Sequence, residues 1–132
     1  MDAIRYFSRT GNTKVLAEAI GADLNLEAKD ITEPLPDEVD TLYLGAAIYM
    51  TSIDKHMKAY AAKVDPKQVK RVVLFGTSGG VMSSEKAVSK LLTEQGVTIA
   101  SESLHLHGLV PKHDKLSDEQ LEKVHEFTKA FK

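Results

Sequence analysis

The chain of 132 residues contains no cysteine. That excludes disulfides, thiolate metal centres and every mechanism that needs a cysteine nucleophile. Several phosphate-handling α/β proteins place such a cysteine in the loop after their first strand, and this chain cannot do their chemistry. Long apolar runs are missing too, and the longest are far too short to cross a bilayer. A surplus of one charge is also absent. Seventeen basic and 19 acidic residues leave a net charge of −2, too little basic excess for a nucleic-acid surface. Met1-Asp2-Ala3 leads straight into a strand with no leader pattern before it, so the expected location is cytoplasmic. What remains is ordinary for a globular protein: 42% hydrophobic and 27% charged residues. The length suits one domain over residues 1–132.

Apolar periodicity alternates between strand and helix. Ile4–Phe7 reads as a strand, and Thr13–Ile20 as a helix with Val15, Leu16, Ala19 and Ile20 on one face. Leu24–Ala28 is a weak second strand. Pro34 and Pro36 exclude a helix in the connection that follows. Thr41–Ala47 and Val72–Gly76 are nearly continuous apolar strands, as expected where both faces are covered. Between them Thr51 or Ser52 caps a helix whose face is Ile53, Met57, Tyr60, Ala61 and Val64. A helix over 84–95 buries Ala87, Val88, Leu91 and Leu92 and is ended by Gly96. Val97–His107 is a fifth strand whose polar half suits a sheet edge. Ser117-Asp118-Glu119-Gln120 is a capping box that opens a last helix along Leu121, Val124, Thr128 and Phe131. Five strands alternating with four helices predict an α/β fold, a parallel sheet covered by helices on both faces.

The loop between the first strand and the first helix carries the strongest chemical signal. Ser8, Arg9, Thr10, Gly11, Asn12 and Thr13 place three hydroxyls, a carboxamide and a glycine before a helix N-terminus. The first N–H groups of a helix lack internal partners, and the helix dipole adds partial positive charge there. The hydroxyls donate to phosphate oxygens, and Gly11 lets the backbone come close. The same residues also fit a Ser/Thr-rich turn that only caps the helix. The ending Gly-Lys-Ser/Thr of a Walker loop is missing, and one glycine is too few for the dinucleotide fingerprint.

Ser8-Arg9-Thr10-Gly11-Asn12-Thr13 resembles the flavodoxin phosphate loop, Ser/Thr-x-Thr-Gly-x-Thr, at every fixed position. The resemblance implies a three-layer flavodoxin-like fold with a five-stranded parallel sheet in the order 2-1-3-4-5. It implies non-covalent FMN as cofactor. Ligands of such sheets bind outside the carboxyl ends of the strands at the switch point, here between strands one and three. Two further loops meet at that edge, 46–52 and 77–83. By analogy they flank the flavin ring, with Ala47, Ile48, Tyr49 and Met50 on one side and Thr77, Ser78, Gly79, Gly80 and Met82 on the other. Tyr49 offers a ring to stack, the methionines polarisable contacts, and Gly79-Gly80 a close backbone. Each also has a plainer role: Tyr49 half-buried above the sheet, Met82 a hydrophobic staple, Gly79-Gly80 a turn.

Departures from the flavodoxin pattern are visible. The third loop lacks the aromatic residue that usually covers the outer flavin face. No glycine stands among residues 48–52, where flavodoxins often use one to turn a carbonyl toward the reduced ring. Flavodoxins are also usually strongly acidic, and this chain is not. Gly45-Ala46-Ala47-Ile48-Tyr49, followed by a helix with His56 and Tyr60, resembles the flavodoxin-domain proteins related to quinone-dependent protoporphyrinogen dehydrogenase. Those enzymes carry an extra loop around the last strand, for which residues 97–132 leave no room. The function expected is electron transfer through FMN between a reductase and an acceptor protein, by a monomer without nucleic-acid or membrane partners. A flavin oxidoreductase acting on a small organic molecule and a non-redox phosphate-binding module are the alternatives. No side chain reads as a general acid or base. His105, His107 and His113 read as a solvated edge rather than a metal site. His56 lies on the exposed side of its helix and approaches the flavin only if the preceding loop folds back.

Overall fold

A computed structural model describes residues 1–7, 12–49, 52–53, 55–78, 85–107 and 118–131. The strands are β1 (Ala3–Tyr6), β2 (Ala28–Asp30), β3 (Val39–Tyr49), β4 (Ser52–Ile53), β5 (Val69–Ser78) and β6 (Ile99–His107). The helices are α1 (Asn12–Leu24), α2 (Lys55–Ala61), α3 (Glu85–Glu94) and α4 (Asp118–Thr128), the last continued by a 3₁₀ turn over Lys129–Phe131. The main path of the sheet is β2-β1-β3-β5-β6, parallel throughout. Counting only the parallel strands, this is the expected order 2-1-3-4-5. The two-residue β4 is an addition that pairs antiparallel with β3.

Alternation along the strands sorts the core into two faces. Ile4, Tyr6, Tyr43, Val73 and Phe75 pack with Leu16, Ala17 and Ile20 of α1 and with Val124 and Phe127 of α4. Ala3, Leu42, Leu44, Val72 and Leu74 pack on the other face with Met57 and Ala61 of α2 and Val88 and Leu92 of α3. Arg5 shares this second face by alternation and is only 4% exposed. No helix lies between β2 and β3, and a connection over 31–38 takes its place. Arg5 ties that connection down: Nε donates to the Glu33 carbonyl at 3.2 Å and Nη2 to the Pro34 carbonyl. Nη1 donates to the Ile4 carbonyl at 2.9 Å.

Several boundaries differ from the sequence expectation, each for a local reason. The helix expected to end at Ile20 runs on to Leu24, and β2 begins only at Ala28. Gly21 permits this, since a Cβ there would collide with the Leu26 carbonyl. The Leu26 N–H closes the helix on the Gly21 carbonyl at 2.9 Å, with Asn25 left-handed at φ 58°. Ser52 does not cap a helix. It pairs with Tyr49, and Ile53 pairs with Ile48, so Ile53 is not on the α2 face. Thr51 lies outside the described residues.

Gly96 ends α3 as expected. Its N–H bonds the Thr93 carbonyl at 3.0 Å, the Val97 N–H bonds the Leu92 carbonyl at 3.1 Å, and φ is +83°. An added Cβ would have room, with Pro66 Cγ 4.0 Å away. Gly96→Ala is therefore expected to cost about 1 kcal/mol from backbone strain alone, a modest lowering of Tm measured by thermal denaturation.

Tyr43 is 1% exposed in the central strand, its ring edge-on to Phe131 at 5.5 Å. Burial pushes its phenol up to about 12 from 10.0. A raised folded-state pKa favours the neutral form, so the stability it brings is complete below pH 10 and is lost as pH rises toward 12. Denaturant melts between pH 9 and 12 are expected to show a steep alkaline fall, made shallower by Tyr43→Phe.

Candidate functional site

The switch point falls between β1 and β3, because β2 lies on one side of β1 and β3 on the other. Tyr6 pairs with Gly45, and the Phe7 N–H bonds the Gly45 carbonyl at 3.2 Å. The chain then leaves the sheet through residues 8–11 and enters α1 at Asn12. Residues 46–49 of β3 and 76–78 of β5 continue past that point, with Ala47 opposite Thr77 and Ile48 opposite Ser78. At about 3.3 Å per residue, they rise roughly 13 Å and 10 Å above the end of β1. A two-stranded wall thus stands beside the segment that joins β1 to α1.

The first turn of α1 contains no acidic residue, so no side chain of that turn offsets the positive end of a 13-residue helix. Thr13, in that turn, is fully buried. Both features suit an anion held before the helix. At the carboxyl end of β1, burial, together with Glu18 and Asp30, raises the Tyr6 phenol, which keeps this group neutral.

The expected site residues fall into three groups. Ser8, Arg9, Thr10, Gly11, Met50, Gly79, Gly80 and Met82 lie outside the described residues. Asn12 and Thr13 open α1 as the phosphate-loop pattern requires. Ala47, Ile48, Tyr49, Thr77 and Ser78 are at the carboxyl edge, but they are strand residues rather than loop residues. Parallel pairing between β3 and β5 extends further than hydropathy indicated, because backbone hydrogen bonds hold Thr77 and Ser78 in the ladder whatever their polarity. Among the described residues no group of three metal-binding side chains gathers.

One contact at this edge escaped the sequence pattern. The β3–β4 hairpin turns the chain back, and α2 begins two residues later. His56, exposed in the first turn of α2, stacks on Phe7 with ring centroids 5.0 Å apart and planes at 21°. The fold-back on which its approach depended is therefore present. His56 reaches the residue immediately before the Ser/Thr-rich loop.

The family model for the flavodoxin domain matches residues 3–129, and the chain belongs to that family. A flavodoxin from the domain Archaea has a similar structure, with TM-score 0.74 and 23% identity, covering 96% of this chain and 93% of that one. Flavodoxin 2 from Bacillus cereus aligns with TM-score 0.72 and 22% identity over 98% and 95% of the two chains. An NADH:FMN oxidoreductase in its apo form aligns with TM-score 0.65 and 16% identity over 98% and 90%. No curated protein matches the sequence significantly. The family implies a flavin cofactor. The described residues fit one: a helix N-terminus with no acid in its first turn for an anionic tail, and a raised strand pair beside it for a flat ring.

Proposed function

We propose that the chain binds one FMN non-covalently and carries electrons between a reductase and an acceptor protein. The observation that carries this reading is the strand–loop–helix unit at the switch point, whose loop has a hydroxyl-rich sequence and whose helix has no acid in its first turn. Residues 8–13 hold the phosphate through neutral donors and the helix N-terminus. Residues 47–50 and 77–82 flank the ring. The flavin supplies the redox chemistry when bound, and the protein sets access to it and the field around it. The chain acts as a monomer in the cytoplasm.

A dedicated oxidoreductase acting on a small organic molecule such as a quinone is the second reading. The Gly45–Tyr49 segment favours it, as does the same fold in an NADH:FMN oxidoreductase. Anaerobic photoreduction of the FMN-loaded protein, followed by absorbance, separates the two. Uptake of electrons in two resolved one-electron steps, with no reoxidation by added quinone, supports the carrier. A single two-electron step with stoichiometric reoxidation by quinone replaces it with the oxidoreductase.

A further inference from the structure

The connection that replaces a helix between β2 and β3 leaves a cleft on the α2 face. Its volume is about 310 Å³, and its walls include Ile31, Leu35, Tyr60, Lys63, Val64 and Gln68. That is about the lower end of the range for small-molecule sites. Apolar walls alone would say little. Two polar features beside them say more.

The first is Arg5. A side chain this buried usually has an anionic partner. The Arg5 guanidinium has none: its three hydrogen bonds all go to backbone carbonyls, and no carboxylate among the described residues pairs with it. Three of its five N–H donors are used. The Glu33 and Pro34 residues it grips form part of the cleft wall, so the cation lies directly behind that wall. The second is Tyr60. Its ring lines the cleft, and its hydroxyl is buried without a hydrogen-bond partner. A buried hydroxyl without an acceptor is a cost the fold would otherwise avoid. Lys63 adds a second positive charge at the cleft and forms no ion pair among the described residues. Glu33 is the one acidic residue in the lining.

We propose that this cleft binds a small carboxylate with an apolar body. The Lys63 ammonium receives the carboxylate, the Arg5 charge and the Tyr60 hydroxyl behind the wall favour it there, and Ile31, Leu35 and Val64 receive the body. The site shares no lining residue with the proposed flavin site and stands whether or not the flavin reading does.

Benzoate is the probe, titrated into the ¹⁵N-labelled protein as purified and followed by amide shifts. Saturable shifts confined to residues 31–36 and 60–68 are expected. Neutral benzamide, of nearly the same shape, should bind at least tenfold more weakly. Lys63→Gln and Tyr60→Phe should each weaken benzoate several-fold, with amide spectra elsewhere unchanged. Tyr60→Phe should also raise the Tm of the free protein, because it removes the unsatisfied hydroxyl. Absence of shifts at these amides at millimolar benzoate overturns the proposal. Equal binding of benzamide overturns it as well, since the charge would then be irrelevant.

Discussion

Gly45→Ala lowers stability by about 3 kcal/mol, the upper end of the range for overpacking a core, and lowers Tm by roughly 10 °C. Gly45 is buried in the middle of β3, paired with Tyr6 on one side and Phe75 on the other. A Cβ built at this position runs into the edge of the Phe75 ring. Phe75 is 1% exposed and sits in the cluster with Tyr43, Val73 and Ile4, so its ring has little room to move aside. The origin of the loss is testable by a double-mutant cycle. Phe75→Leu trims the ring and is itself destabilising, but the pair with Gly45→Ala is expected to cost less than the two single changes added, by at least about 1 kcal/mol. Urea melts of the four proteins measure this. Additive effects would mean that Gly45 is required for some reason other than the ring.

If the proposed site is right, Gly11→Val and Thr10→Ala are each expected to weaken FMN binding by more than tenfold, about 1.4 kcal/mol, while leaving the urea midpoint of the unliganded protein within error. Residues 8–11 connect Phe7, bonded to the Gly45 carbonyl, to the first turn of α1. A phosphate there receives backbone N–H groups and hydroxyl donors. No acid in the first turn of α1 opposes it. Valine at 11 keeps the backbone away from the ligand. Alanine at 10 removes a donor and leaves a phosphate oxygen without its hydrogen bond. Unchanged affinity in both variants would remove the phosphate from this loop. Isothermal titration with FMN and with riboflavin, which lacks the phosphate, makes the point sharper. Wild type should prefer FMN strongly, and the variants should lose most of that preference.

The strands were legible because periodicity is a property of neighbours in sequence, whereas their order came from the flavodoxin resemblance. Leu42, Leu44, Val72 and Leu74 face one side and Tyr43, Val73 and Phe75 the other, and a strand covered on both faces must be apolar at every position. The Gly96 stop was legible for the same reason, since a left-handed residue after a helix asks for glycine. The misses came from contacts between segments distant in sequence. The first helix runs past the expected end at Ile20, because Gly21 allows the close approach of the Leu26 carbonyl. Thr77 and Ser78 looked like loop and are held in the strand by pairing with β3 and β6. Arg5, inside an apolar strand, gave no hint that it would be spent on the carbonyls of Glu33 and Pro34, 28 and 29 residues away. At the site, the phosphate pattern was readable because its donors are contiguous. The Phe7–His56 stack was not, because a two-residue hairpin strand brings it together.

The central claim is that the carboxyl edge between β1 and β3 holds FMN. Titration of the purified protein with FMN, read by the visible spectrum and quenching of flavin fluorescence, tests it most directly. One-to-one binding with sub-micromolar Kd and a perturbed flavin spectrum is the expected result. Absence of binding at micromolar FMN would contradict it, and the loop at 8–13 would then serve some other phosphate.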